Sequence, residues 1–584
     1  MKRKDIFIMI ITFVLLIIII SLSYAYFVLN TNLTNNIAQN ISFDDDAYQI
    51  EVSNRNATPI TISNYAMMWS GQDELVANTT ENFIINITNN LNNALYCTYD
   101  IVWEWKTGSG ISNYTITSGA TKEYTVSWDG NAEVQVPNYN ASSFVLGKNS
   151  TGAIAPNGVT TVTVPIDIKF YNLANFNQSN HYNKTYLGYV KIDNIACGIP
   201  SSFADYIVNY TPRSGVDAVS NSPWILTSDR EGEWRYAGKN PDNYIEFNGE
   251  LWRIIGVMPN TTYCTGEYGT ETECSTLATG DLVKIIRNSI LRSVTNWDYK
   301  QTSVGSSNTN NGSNDWSDSQ LMLMLNGKNY LKTGYDVNGN KLHSSYTITS
   351  NVVKGNGYNF YNASYSYLDG NGLNLYIPAS ATTSGYSQLY TSLPKKISNS
   401  ALSKIATVRW DLYGTNSFTT DAEGSPIAFY NKERNIDSSG SVYTGTTPEN
   451  RPVYWYGKVG LLYPSDYGYA TNGDGSTSGS YSRTQCLERT LNTWFFSNVI
   501  TSCAQNDWLR YGDITSAEPI NGANKWLITP NSSSSHAVFN LTSLGYVSYS
   551  SAYITDSIYP VLYLKADTRP SGGNGTWNNP YIIE

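Results

Sequence analysis

The amino-acid sequence predicts an N-terminal transmembrane helix, an all-β antiparallel sandwich and a β-rich α+β domain. Three observations carry this reading. A nearly unbroken apolar run from Ile6 to Ile20 follows three positive charges. From about Asp46 to Asp193 apolar and polar residues alternate with period two. Further on, Asn243 to Met258 reads as a hairpin bent at Asn248-Gly249, a dipeptide suited to a two-residue turn between strands. At 584 residues the chain is too long for one core. It divides into a signal-anchor segment (1–29), a sandwich (30–197), a polar linker (198–222) and the α+β domain (223–584).

The first element rests on length and charge. Lys2, Arg3 and Lys4 precede the apolar run, which continues more weakly through Val28. Such a run spans a bilayer, and the positive flank keeps its start in the cytoplasm. Ser23-Tyr24-Ala25 also fits a signal-peptidase site, with cleavage between Ala25 and Tyr26, although the length of the apolar core favours a retained anchor. Either route exports the remainder and exposes it outside the cell.

Composition narrows the function. Only 14% of residues are charged, about half the usual share. Tyr (46) and Trp (15) are abundant, which favours strands and hydroxyl-lined surfaces over long helices. Beyond the signal-anchor segment the balance is 34 basic against 46 acidic residues, about −12, with no basic cluster, which argues against a nucleic-acid partner and disfavours polyanionic glycans. Six cysteines fall as Cys97 and Cys197, Cys264 and Cys274, Cys486 and Cys503, read as three local disulfides of an oxidising destination. In the chain-entropy model the longest loop contributes about 4–5 kcal/mol and the others less. Metal ligation has little support, since no Cys-x-x-Cys occurs and His181, His343 and His536 are isolated along the chain.

In the sandwich, "VTVPIDIKF" places Val162, Val164, Ile166, Ile168 and Phe170 on one face, and "DIVWEWK" places Ile101, Trp103 and Trp105 together. Asp129-Gly130 marks a second hairpin. Trp103 and Trp105 are read as core rather than ligand platform, because same-face strand aromatics pack on cross-strand neighbours. Trp252 and Arg253 point to opposite faces, which sets Trp252 in the core and Arg253 against a rim carboxylate. "TNGDGSTSGS" (Thr471 to Ser480) and "YDVNGNK" (Tyr335 to Lys341) lack the ligand order of an EF-hand loop. A calcium site assembled from Asp466, Asp474 and Asp513 is the one ion site left open, and no cofactor is expected. No Gly-x-Ser-x-Gly elbow or P-loop occurs, so no catalytic residue is assigned. His536, among serines, is the best-placed histidine, and Cys486 and Cys503 are expected to be paired and inert.

The hydrophobic start ending in "SYAYF", followed by an Asn-rich strand region, resembles the camelysin and biofilm-fibre type of exported protein in Gram-positive bacteria. The His-Glu-x-x-His of a metalloprotease is absent. The segments "NYIEFNGELWRIIGVM", "DLVKIIRNSIL", "NDWSDSQLMLMLNGKNYL", "YGKVGLLYPSDYGYAT", "KWLITP" and "YPVLYLKADTRPSGGNGTWNNPYII" resemble, in this order, an uncharacterised extracellular domain of Gram-positive surface proteins. Those relatives carry Arg-Pro before "VLYL" where this chain has Tyr559-Pro560, so no role of that arginine transfers. The ending also resembles the closing strands of C-type-lectin-like folds, formylglycine-generating-enzyme relatives included. That resemblance implies a compact α+β domain with a small twisted sheet and short helices near Ser317–Leu325 and Thr490–Ile500, the first opened by a capping box at Ser317-Asp-Ser-Gln320.

These readings converge on a cell-surface anchored binding or adhesion protein, with the sandwich as stalk and a lectin-like domain meeting a surface glycan or protein ligand. The loops between "DGNGLNLYIP" and "SPIAFYNKERN" would carry specificity. An extracellular hydrolase or protein-modifying enzyme, and a matrix fibre protein, are the alternatives. Protease treatment of intact cells is expected to degrade nearly the whole chain; a protected C-terminal region overturns the orientation.

Overall fold

The computed structural model describes most of residues 72–211, 232–298, 313–326, 399–441, 452–473, 482–494, 501–511 and 524–583, with short strand segments at 41–42, 48–53, 60–61, 213–214, 224–227, 346–349, 352–355 and 358–360. The chain forms two compact units. The first comprises Met1–Ile199 with Ser214–Val216, and the second Pro200–Arg213 with Asp217–Glu584.

The first unit is a β-sandwich. Its strands are β1 (Tyr48–Ser53), β2 (Glu74–Asn89), β3 (Leu95–Trp105), β4 (Tyr124–Trp128), β5 (Phe144–Ile154), β6 (Val159–Asn172) and β7 (Gly188–Gly198). One sheet runs Ile41–Ser42, β1, β2, β6, β4, Val134–Gln135, and the facing sheet contains β7, β3 and β5 in that order. Period-two alternation builds the core. Phe83, Ile85 and Ile87 of β2 are buried beside Val164, Ile166, Ile168 and Phe170 of β6, with Phe83 opposite Val164 in the register. Trp103 is fully buried and Trp105 packs edge-on against it at 5.1 Å. Cys97 and Cys197 stand opposite each other on β3 and β7 and are disulfide-bonded.

In the second unit helix α1 (Phe203–Tyr210) comes first, followed by β8 (Glu233–Tyr236), β9 (Tyr244–Phe247), β10 (Glu250–Cys264), β11 (Leu277–Arg287), β12 (Val408–Asp411), α2 (Pro426–Glu433), β13 (Tyr454–Gly457), β14 (Val459–Gly460) and α3 (Pro464–Tyr469). The chain ends in β15 (Lys525–Pro530), β16 (Ala537–Leu541), β17 (Val547–Ser551), β18 (Thr555–Ile558) and β19 (Val561–Tyr563). A nine-stranded sheet is organised by β10, whose 15 residues pair with β8, β9, β11 and β12. A separate sheet orders Arg292–Asn296, β18, β15, β16 and β17. Asn248 and Gly249 both adopt positive φ, 57° and 73°, which makes the β9–β10 turn the tight form whose twist matches the strands.

The expected fold class is corrected here. Strand accounts for 47% of the described residues and helix for 17%, in several sheets. The physical reason is β10: a strand this long recruits neighbours along its whole length, so a broad sheet replaces the small twisted sheet of a lectin-like domain. Among the described residues no helix is long and apolar enough to cross a membrane. The segment 1–29, with the Ala25–Tyr26 junction, lies outside the described residues, as does the Asp129-Gly130 turn.

Helices are short and set by local capping. Ser202 accepts from Asp205 N at 3.0 Å to open α1, inside the stretch read as linker. Phe203 N donates to Thr568 O, which joins α1 to the second unit. Ser425 caps α2 and Pro426 occupies its first turn. The capping expected from Ser317 comes from its neighbours: Asp315 caps the 3₁₀ turn Trp316–Asp318, and Ser319 Oγ accepts from Met322 N in the helix Gln320–Asn326. Near Thr490 a 3₁₀ turn covers Leu491–Thr493, and residues 495–500 are outside the described set.

A Cβ at Gly188 would lie 1.9 Å from Cζ2 of Trp103. Gly188→Ala is therefore expected to destabilise the first unit by about 1–3 kcal/mol through overpacking. A lowered urea midpoint at unchanged slope checks this; an unchanged midpoint contradicts it.

Candidate functional site

Among the described residues, each unit holds one large buried gathering of ionisable side chains. In the second unit, alternation along β8 sends Glu233 and Arg235 to the same side, where they bond each other. Arg235 Nη1 reaches Asp466 Oδ1 at 2.8 Å, and Lys284 Nζ from β11 reaches Asp466 Oδ2 at 2.6 Å. Asp466 lies in the first turn of α3 and accepts from Tyr463 N at 3.0 Å. Glu433 ends α2 and receives Arg434 Nη1 at 3.2 Å and Ser465 N at 3.2 Å. Aromatic rings wall the cluster: Arg434 lies 3.8 Å above the Tyr430 ring and Lys284 4.8 Å from that of Tyr463.

Burial and pairing act on these groups in opposite directions. Burial alone would push Asp466 up, yet Lys284 and Arg235 hold it well below the usual carboxylate range. Burial lowers Lys284 to about 8 against the pull of Asp466. It raises Glu433 to about 7, an effect that the neighbouring Arg434 only partly offsets. Three carboxylates face three cations, so the cluster is internally compensated, and as a sealed group it fastens α2 and α3 to the large sheet. A second sealed pair sits nearby in sequence: burial pushes Asp507 up and Lys525 down to about 7, with Lys525 Nζ on Leu509 O at 2.5 Å.

The first unit holds a polar array around Glu123, which has no exposure. Its Oε1 accepts from Thr117 Oγ1 at 2.5 Å and Gln178 Nε2 at 2.7 Å, and lies 3.1 Å from His181 Nε2. Its Oε2 accepts from Tyr114 O–H at 2.7 Å and Thr117 N at 3.1 Å. The other imidazole nitrogen, Nδ1, meets Tyr186 Oη at 2.6 Å, and the ring stacks on Tyr114. Burial pushes Glu123 up, but His181, Thr117 and Tyr114 outweigh it and bring the carboxyl down to about 2. Sequence separation hid this site. Glu123, His181 and Thr117 share no motif, and only the β4–β6 pairing brings their segments together.

The residues singled out in the sequence fare differently. Trp252 is buried as expected, but Arg253 is buried too rather than at a rim. Its guanidinium sits 4.4 Å from the rings of both Tyr244 and Trp508 and donates to Asn243 Oδ1 at 2.8 Å. Asp466 is an ion-pair partner rather than an open calcium ligand, while Asp474, Asp513, His343 and the Tyr335–Lys341 turn lie outside the described residues. No cluster of three or more metal-binding side chains occurs among the described residues. Cys264 bonds Cys274 and Cys486 bonds Cys503, so with Cys97–Cys197 no described cysteine is free. The stretch "SPIAFYNKERN", which bounds the expected specificity loops, forms α2 and feeds Glu433 and Arg434 into the charge cluster. His536 is half-buried and contacts Ser534 Oγ through Nδ1 at 3.2 Å.

Solvent meets a different set. Tyr549 on β17 is 48% exposed, and Tyr553 (37%) and Ile554 (42%) lie in the turn leading to β18. The Tyr549 ring is backed by Phe418 at 5.7 Å and Phe539 at 6.3 Å. His536 O accepts from Ala552 N at 2.7 Å, which places the histidine beside this segment. Comparison with protein-family models, curated proteins and solved structures finds no match for the chain.

Because Glu433 is raised from 4.5 to about 7, the folded state keeps a proton there that the unfolded chain loses, so this group's contribution to stability falls as pH rises across that window. Urea unfolding between those pH values is expected to show that slope, and Glu433→Gln to flatten it; equal slopes in both proteins contradict the assignment.

Proposed function

We propose that this chain is an exported binding or adhesion protein acting outside the cell, with the sandwich unit as stalk or assembly module and the second unit as the recognition element. Three disulfides fit an oxidising destination. The observation that carries the reading is the exposed Tyr549, Tyr553 and Ile554 segment set on a rigid sheet. Tyrosine offers a large apolar face at low entropic cost and a hydroxyl at its tip, which suits a sugar ring or a protein partner. The resemblance of residues 223–584 to extracellular domains of Gram-positive surface proteins points the same way.

A second reading, an extracellular hydrolase, draws on the Ser534–His536 contact. Burial holds the His536 imidazole below its ordinary pKa, which favours the neutral, proton-accepting ring.

The test is a glycan and surface-protein array probed with the purified chain, with and without calcium. A ligand is expected whose affinity falls about tenfold or more when Tyr549 and Tyr553 are both changed to Ser, the scale of an aromatic anchor. Undiminished binding by the double variant removes these tyrosines from the site. Substrate turnover abolished by His536→Ala, with nothing bound, replaces adhesion by hydrolysis.

A further inference from the structure

We propose that the sandwich unit cross-links itself: Thr117 Oγ1 attacks the side-chain carboxamide of Gln178, forming an intramolecular ester and releasing ammonia. Thr117 lies in the segment between β3 and β4, and Gln178 follows β6, just before the 3₁₀ turn Ser179–His181. Nucleophile and electrophile are held by one atom, since Thr117 Oγ1 and Gln178 Nε2 both donate to Glu123 Oε1, at 2.5 and 2.7 Å. His181 Nε2 stands 3.2 Å from the same hydroxyl.

Each part of an acyl transfer is present. Glu123 Oε1 is positioned to take the hydroxyl proton as Oγ1 bonds to Cδ of Gln178. The Gln178 carbonyl oxygen accepts from Leu173 N–H at 2.6 Å, a backbone donor placed where negative charge develops. Collapse of the tetrahedral adduct breaks the Cδ–Nε2 bond, and the protonated Glu123 returns its proton to that nitrogen, which departs as ammonia. The carboxylate ends as it began, no oxidant or reductant is consumed, and the carboxamide nitrogen leaves as the only by-product.

Burial favours the forward product. Glu123, His181 and Gln178 are sealed beneath Tyr114, Tyr186 and Phe170, so water competes poorly for the acyl group. Fixing both groups on one carboxylate replaces a bimolecular encounter with an intramolecular one. Glu123 is a weak base in this setting and the step is correspondingly slow, but it has to occur once per molecule. The product would clasp the segment entering β4 to the one leaving β6, a staple that reducing conditions cannot open, unlike Cys97–Cys197.

The experiment is intact-mass and peptide analysis of the purified, reduced chain. The expected mass is lower than that of the sequence by one ammonia. Trypsin should release peptides 107–122 and 170–184 as one linked species that hydroxylamine separates. Thr117→Ser is expected to keep the link and Thr117→Val, of nearly equal volume, to abolish it with the circular dichroism spectrum unchanged. Separate peptides from the wild-type chain with Gln178 intact overturn the proposal, as does a link that survives Thr117→Val.

Discussion

The carboxylate of Asp466, shared between Arg235 and Lys284, fastens the second unit together. Helix α3 is only six residues long, too short to be stable without tertiary contacts. Its acidic first-turn residue instead reaches two strands of the large sheet at 2.8 and 2.6 Å. Removing three carboxylates and three cations from water is costly, and the cluster compensates by giving every charge an opposite partner and by lining the cations with tyrosine and tryptophan faces. Such a group penalises misplacement more than it adds net stability. A helix shifted by one turn would strand a buried charge, so the interaction selects one arrangement of helices on the sheet.

The sandwich unit uses a related solution with less charge. Glu123 is satisfied by five donors, most of them neutral, and the surrounding rings of Tyr114, Tyr124 and Phe170 meet edge to face, with Tyr186 stacked on Phe170. The disulfide between directly opposed residues on β3 and β7 fixes the far side of the same core. The buried polar centre of one unit is made of ion pairs and that of the other mostly of hydrogen bonds, and disulfides brace both. In both, the clustered ionisable side chains at these centres are largely withdrawn from solvent.

That withdrawal shapes the functional reading. The titratable groups with the strongest perturbations are enclosed by structure, whereas the aromatic groups of the β17 segment face outward on a firm backing of Phe418 and Phe539. Perturbed pKa values accordingly report burial here, and structural ion-pair networks produce them as readily as active sites do.

Local chemistry was legible along the chain. Alternation marked the inward faces of β3 and β6, the Asn248-Gly249 dipeptide marked its turn, and the cysteine spacing suggested three bridges, because each signal lies within a few residues or within pairs of one redox class. Arg253 and Asp466 were visible as charges but not as interior groups, since their partners stand elsewhere in the sequence: Trp508 for the first, Arg235 and Lys284 for the second. His181 looked isolated for the same reason. Sequence by itself determined strand faces and turns, which depend on neighbours and period, and only suggested the disulfide pairing. The breadth of the second unit's sheet, the enclosure of its central ion cluster and the meeting of Thr117, Glu123, Gln178 and His181 were decided only by tertiary structure, because side-chain environment is set by residues that become neighbours when strands pair.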